Sequence, residues 1–230
     1  MADPSNPNVE ISRESVPIGP VLDLIRPWRS DIAAIALAHV EAVGSVAELG
    51  GEAFGACISE GAMPSPTREE LLRSHPPLFA PQRPLGNAMP EASPLAEAVL
   101  LLIDGQDDRS HAVSQSREAT VLFDHAHAIM HRREADFGNA MYWVRRIGRS
   151  PVFDDLPSLA SASLDWLAGC GLSEQTLSLF APLREQWDAP LFLDLVRQTQ
   201  TTDSDDAEAV CRVLQFDEMM TLLRFADVDA

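Results

Sequence analysis

The sequence predicts an all-α protein built from antiparallel helical hairpins, with no significant sheet. Three observations carry this. Apolar residues recur at spacings of three and four along most of the chain, as on one face of a helix. Capping residues and helix-breaking Pro or Gly bracket those runs. No alternating apolar and polar run stands between hairpin turns. A length of 230 residues with 46% hydrophobic content suits one folded domain. That domain is expected over residues 18–230, behind a polar, proline-punctuated tail at 1–17 that is expected to be disordered.

The elements follow in order. Pro27 interrupts a short first helix near Ile25, and Ser30 and Asp31 can cap a longer one that Gly50-Gly51 ends. Thr67-Arg68-Glu69-Glu70 forms a capping box, so REELLRS should begin as a helix. Residues 75–94 contain Pro76, Pro77, Pro81, Pro84, Pro90 and Pro94, which predict a long loop. With Pro94 at the first helical position, LAEAVLLLIDG continues as a helix, and SHAVSQSR is expected to start a short one at Ser110. Two helices follow in His125–Gly148. Beyond them lie expected helices from Pro157 to Trp166, Ser173 to Phe180, Pro190 to Gln198 capped by Asp188, and about Asp203 to Phe225.

Composition excludes several functions. A net charge of −18 repels nucleic acid and anionic lipid headgroups, so neither is an expected partner. All 17 basic residues are arginines, and a chain without lysine supplies no amine for Schiff-base chemistry or a phosphate loop. Cys57, Cys170 and Cys211 lie far apart without Cys-x-x-Cys spacing, the pattern of reduced thiols in a cytoplasmic protein. The first residues show neither the basic start nor the apolar run of a signal peptide. DIAAIALAHVEAVGSVAEL carries Asp31, His39, Glu41 and Glu48, which argues against a membrane span.

One stretch concentrates the chemistry. His125–Gly148 holds three of the six histidines, four arginines and the single tyrosine. Read as a helix at roughly 100° per residue, its first half puts Leu122, Ala126, Ile129 and Met130 on a core stripe with Phe123 at the border. His127, His131 and Glu134 fall together beside it, within an arc of about 60°. His125 and Arg132 are expected to face water, and Arg133, on the core stripe, to reach a carboxylate. Ala135 closes the helix and Asp136 caps the next, where Phe137, Ala140, Met141, Val144 and Ile147 form the apolar stripe. Asn139, Trp143 and Arg146 share a second face, with Tyr142 and Trp143 read as core and seam aromatics. Gly148 can adopt a left-handed cap, and Pro151 bars continuation. The expected product is a hairpin with a polar seam, its arginines balanced by acids such as Asp107, Asp108 or Glu118.

The hairpin resembles a tetratricopeptide unit, with Ala128 and Ala140 as the small residues of close approach and Phe137 or Trp143 filling the gap. A second resemblance covers residues 95–155. Ser110-His111, Ser114-Gln115, His127, His131-Arg132-Arg133-Glu134, Asp136, Asn139-Ala140, Tyr142-Trp143, Arg145-Arg146 and Gly148 are similar to the pattern of a family of soluble helical proteins from bacteria and fungi. The chain departs from it at Met141, where that pattern has lysine, and at Ser150-Pro151, where it has His-Pro. This likeness implies residues and no reaction.

Two function classes fit. The first is a scaffold or binding protein that holds a peptide or small acidic ligand in the seam, using His111, His127, His131, Arg132, Arg133, Glu134, Asn139, Tyr142, Trp143 and Arg146. The second is a metal-assisted hydrolase or lyase. Its divalent ion would sit on His127, His131 and Glu134, with Glu134 alternatively a general base and His111 a proton carrier. Position 128 is alanine, so the His-Glu-x-x-His signature of zinc proteases is missing. The plain alternative for the arginines is internal pairing with some of the 35 acids. No Gly-x-Ser-x-Gly elbow supports a serine nucleophile, and Cys170 suits a buried helix end.

Overall fold

Caps written into the sequence set the starts of most helices in the computed structural model, which describes residues 67–79, 92–117, 120–202 and 204–226. The expected tail, the first two helices, Cys57 and the middle of the Pro-rich segment lie outside the described residues. Those described form nine α-helices and one short 3-10 helix, Ala181–Arg184, without a strand. The all-α expectation holds.

Helix α1 (Arg68–Ser74) opens on the full capping box: Thr67 Oγ1 accepts from the Glu70 amide while the Glu70 carboxylate accepts from the Thr67 amide at 2.7 Å. Ser93 caps α2 (Pro94–Asp104), Asp136 caps α5 (Phe137–Ile147) and Ser150 caps α6 (Pro151–Ala168). Ser173, Asp188 and Ser204 do the same for α7 (Glu174–Phe180), α8 (Ala189–Thr199) and α9 (Asp205–Arg224). Only α3 (Asp107–Gln115) and α4 (Val121–Arg133) start without a side-chain cap.

Two boundaries differ from expectation. Helix α3 begins at Asp107, three residues before Ser110, because Asp107 and Asp108 suit the positive end of a helix dipole. Pro151 does not merely stop α5; it occupies the first turn of α6, which therefore starts six residues before the expected Pro157 and carries that proline inside it.

Helix α2 is buried almost throughout, and α9 buries residues on every side along most of its length. Helix α9 packs against α1, α2, α4, α6, α7 and α8. A repeat array, by contrast, joins each unit to its neighbours alone. One continuous apolar core unites these helices, through residues such as Leu100, Ile129, Phe192, Leu214 and Phe216. Among the described residues no helix is long and apolar enough to cross a membrane.

Helices α4 and α5 are the most closely packed pair and run antiparallel: Asp124 meets Arg146 near one end, and His127 meets Trp143 one turn nearer the connection. The connection is tight. The Asp136 amide donates to the His131 carbonyl at 2.9 Å, and Ala135 adopts φ of 61°, a left-handed position normally given to glycine. Gly148 ends α5 at φ of 59° but ψ of −97°, a positive-φ conformation outside the left-handed helical cap that was expected.

A buried imidazole–indole stack between three helices

The sequence places two sets of polar groups on α4, and the fold sends them to opposite sides. On the side facing α9, His125 and Arg132 are buried, contrary to the expectation that they face water. The periodicity of α4 alone gave no sign that a carboxylate waits there. Glu218 of α9 receives both: His125 Nε2 lies 2.8 Å from one carboxylate oxygen, and the Arg132 guanidinium donates to the other. Arg132 Nε also donates to Gln215 Oε1 at 3.0 Å, and its guanidinium lies over the Phe192 ring. Burial alone would raise the Glu218 carboxyl, but Arg132 and His125 overcome it and hold it at about 2.

Arg133 meets its expectation. Its Nε donates to Asp107 Oδ1 at 2.7 Å, and Nη1 donates to the Pro77 carbonyl at 3.0 Å. Asp107 is therefore the arginine partner; Asp108 is exposed, and Glu118 lies outside the described residues. Arg132 and Arg133, both expected in the ligand seam, are thus committed to internal structure.

The other side of α4 builds a stack. The His127 ring is fully buried and lies parallel to the Trp143 indole, with centroids 4.1 Å apart and planes 3° from parallel. The Arg146 guanidinium covers Trp143 at 4.9 Å. His131, one turn along α4, lies nearly parallel to His127 at 6.0 Å. His111 of α3 closes the group edge to face, 5.1 Å from His127 and 5.4 Å from His131. Three imidazoles from two helices therefore touch one another above an indole from a third.

Hydrogen bonds serve this group unevenly. Glu134 accepts from or shares a proton with His131 Nδ1 at 3.1 Å. Arg146 donates to Asp124 Oδ2 at 2.9 Å, and the Tyr142 oxygen, more than Asp124, raises its already high pKa. Both nitrogens of His127 are buried without a hydrogen-bond partner. Burial first, then His111, His131 and Arg146, push its pKa down to about 4, so the ring is neutral at pH 7. His131 is also lowered, mainly by burial; Glu134 and Asp136 oppose this, and His111 adds to it.

The expected metal set is not assembled. Among the described residues no group of three or more His, Cys, Asp or Glu side chains is placed to hold a metal ion. The reason is visible in the partners: Glu134 is turned to His131 Nδ1, and His127 is held flat on Trp143. Asn139 also has another task, its side-chain amide donating to Asp136 Oδ2 at 3.1 Å beside the cap. Trp143 is buried at the seam with Arg146 over its ring, whereas Tyr142, expected among the core and seam aromatics, is 54% exposed. Of the apolar stripe, Ala140 and Ile147 are buried, whereas Phe137, Met141 and Val144 are half-buried.

Nucleophilic chemistry finds no support in these contacts. Ser110 Oγ donates to the Ala98 carbonyl at 2.8 Å, away from any imidazole. Burial pushes the Cys170 thiol up to about 11, and its sulfur contacts the Trp166 carbonyl. Sequence reasoning missed Asp124, Gln215 and Glu218. The available signal was QFDEMMT, a polar set inside a helix otherwise apolar enough to be buried on all sides.

Fold and site together define an all-α protein with a stacked His-Trp-Arg seam roofed by a third helix. Comparison with family models, curated proteins and solved structures returns no match, so the residues alone carry the functional reading.

Proposed function

We propose that this chain is a helical binding protein that takes a peptide or small acidic ligand against the rim of the α4–α5 seam. The observation that carries the reading concerns Arg145 and Arg149. Both are exposed and make no ion pair or hydrogen bond among the described residues, in a chain of net charge −18. Arg132, Arg133, Arg146, Arg184, Arg197 and Arg212 all find internal carboxylates. Arg145 stands one turn from the exposed Tyr142, which adds an aromatic surface with a hydroxyl. A guanidinium fork beside an aromatic ring, with a second on the loop that follows the helix, suits a carboxylate-bearing ligand. The buried stack beneath acts as a rigid floor, with Arg146 fixed between Asp124 and Trp143.

The test uses the full chain and two probes, citrate and a hexaglutamate peptide, followed by amide chemical shifts. Saturable shifts centred on Tyr142, Arg145 and Arg149 are expected, weakening as salt rises. The double variant Arg145→Ala, Arg149→Ala should bind at least about tenfold more weakly, a loss of about 1.4 kcal/mol. Absence of saturable shifts with either probe, or unchanged binding by the variant, overturns the reading.

A further inference from the structure

We propose that the His111–His127–His131 cluster is an acid-sensitive latch, which holds the C-terminal half of α3 on the α4–α5 hairpin and releases it in mildly acidic solution. This goes beyond ligand binding and does not depend on it.

The argument begins with what fixes α3. Its first turn is tied by Asp107 to Arg133, and Ser110 Oγ bonds back to α2. After Ser110 the strong anchors end. Ser114 is buried with its hydroxyl unpartnered, Val113 is half-buried, and the helix has no side-chain cap at its start. His111 ties this half to α4 through two edge-to-face ring contacts, beside the half-buried Val113 and the Arg117 guanidinium over Phe123. Such contacts require that the rings stay uncharged, because two imidazolium ions about 5 Å apart repel.

The surroundings decide where protons are accepted. Glu134 and Asp136 face His131, so a first proton is tolerated there. His127 has no carboxylate bonded to it. It meets His111, His131 and the Arg146 cation, and Arg146 also lies over the indole on which His127 stacks. Asp124 is occupied by Arg146, and Tyr142 contributes only its oxygen to that same cation. A proton on His127 therefore has nothing to pair with while α3 is docked. Undocking lets water reach the ring and separates it from His111.

The size of the effect follows from the two protonation affinities. With a docked value of about 4 and an undocked value of 6.5, proton binding favours the open form about 20-fold more at pH 5 than at pH 7.

Hydrogen exchange on the full chain tests this, with rates corrected for the intrinsic pH dependence of exchange. Between pH 7 and pH 5, protection at His111–Gln115 should fall about 20-fold relative to Phe192–Val196 of α8. Both His127→Phe and His127→Gln should remove most of this difference, leaving the share of His131, since neither new side chain titrates. Unchanged wild-type protection of α3 at pH 5 overturns the proposal, as does an equal loss in both variants. So does an imidazole resonance of His127 that titrates at the free value while α3 stays protected.

Discussion

The two polar sides of α4 solve the same problem in opposite ways. Towards α9, His125 and Arg132 are buried against Glu218, and both oxygens of that carboxylate are used. Towards α3 and α5, His127 is just as deeply buried and has neither a carboxylate nor a hydrogen bond. The first arrangement keeps charges inside the protein by pairing them. The second keeps an ionisable ring inside by keeping it neutral. One side is thereby built for stability across pH, and the other is left sensitive to protons.

The largest expected effect lies on the paired side. Glu218→Ala leaves Arg132 buried without its carboxylate, and removing one partner of a buried pair costs about 3–5 kcal/mol. Urea unfolding at pH 7.5 measures this. A loss below 1 kcal/mol would mean that water replaces the carboxylate and that the contrast between the two sides is false.

Acid should separate the sides by their pH windows. His127 has a folded pKa of about 4 against 6.5 unfolded, so its neutral state is stabilising above 6.5 and that stability is lost as pH falls towards 4. The span amounts to about 3 kcal/mol at 1.36 kcal/mol per unit. Glu218 is lowered to about 2 from 4.5, so its contribution persists until pH falls below 4.5 and then declines towards 2. Stability measured from pH 8 to 3 should therefore drop in two stages. His127→Phe should shrink the upper stage, to which His131 also contributes, and leave the lower one unchanged; a single drop below pH 4.5 in the wild type would break the comparison.

The same contrast explains what could be read from the sequence. Local rules were enough for the caps at Thr67, Asp136 and Asp188, for Pro94 in the first turn of α2, for the hairpin, and for the face shared by His127 and His131, because each depends on residues within two turns. Arg133 was expected to find an acid, since a cation on a core stripe needs one. What escaped was every partner distant in sequence. Glu218 lies 93 residues from His125, and no spacing on α4 reports it. With Glu218 unseen, His125 and Arg132 were assigned to solvent. The donors of the metal alternative stay apart for a related reason: i, i+4 and i+7 positions share a face, but rotamers and partners decide whether their donors converge. Trp143 claimed one ring, and Glu134 turned to another.

The smallest effect is the most discriminating. His127→Phe at pH 7.5 removes two unpartnered buried nitrogens and keeps an aromatic ring against Trp143. Replacing an unsatisfied polar group by an apolar one of similar shape is nearly neutral or stabilising, so a change within about 1 kcal/mol is expected, with a gain favoured over a loss. The equivalent change on the other side, His125→Phe, strips Glu218 of one of its two side-chain partners and should cost more. The ratio matters here because both rings have the same burial and lie two residues apart on one helix. If both variants lose the same stability, volume alone sets the cost, and the pairing of one side and the neutrality of the other carry no separate energetic meaning.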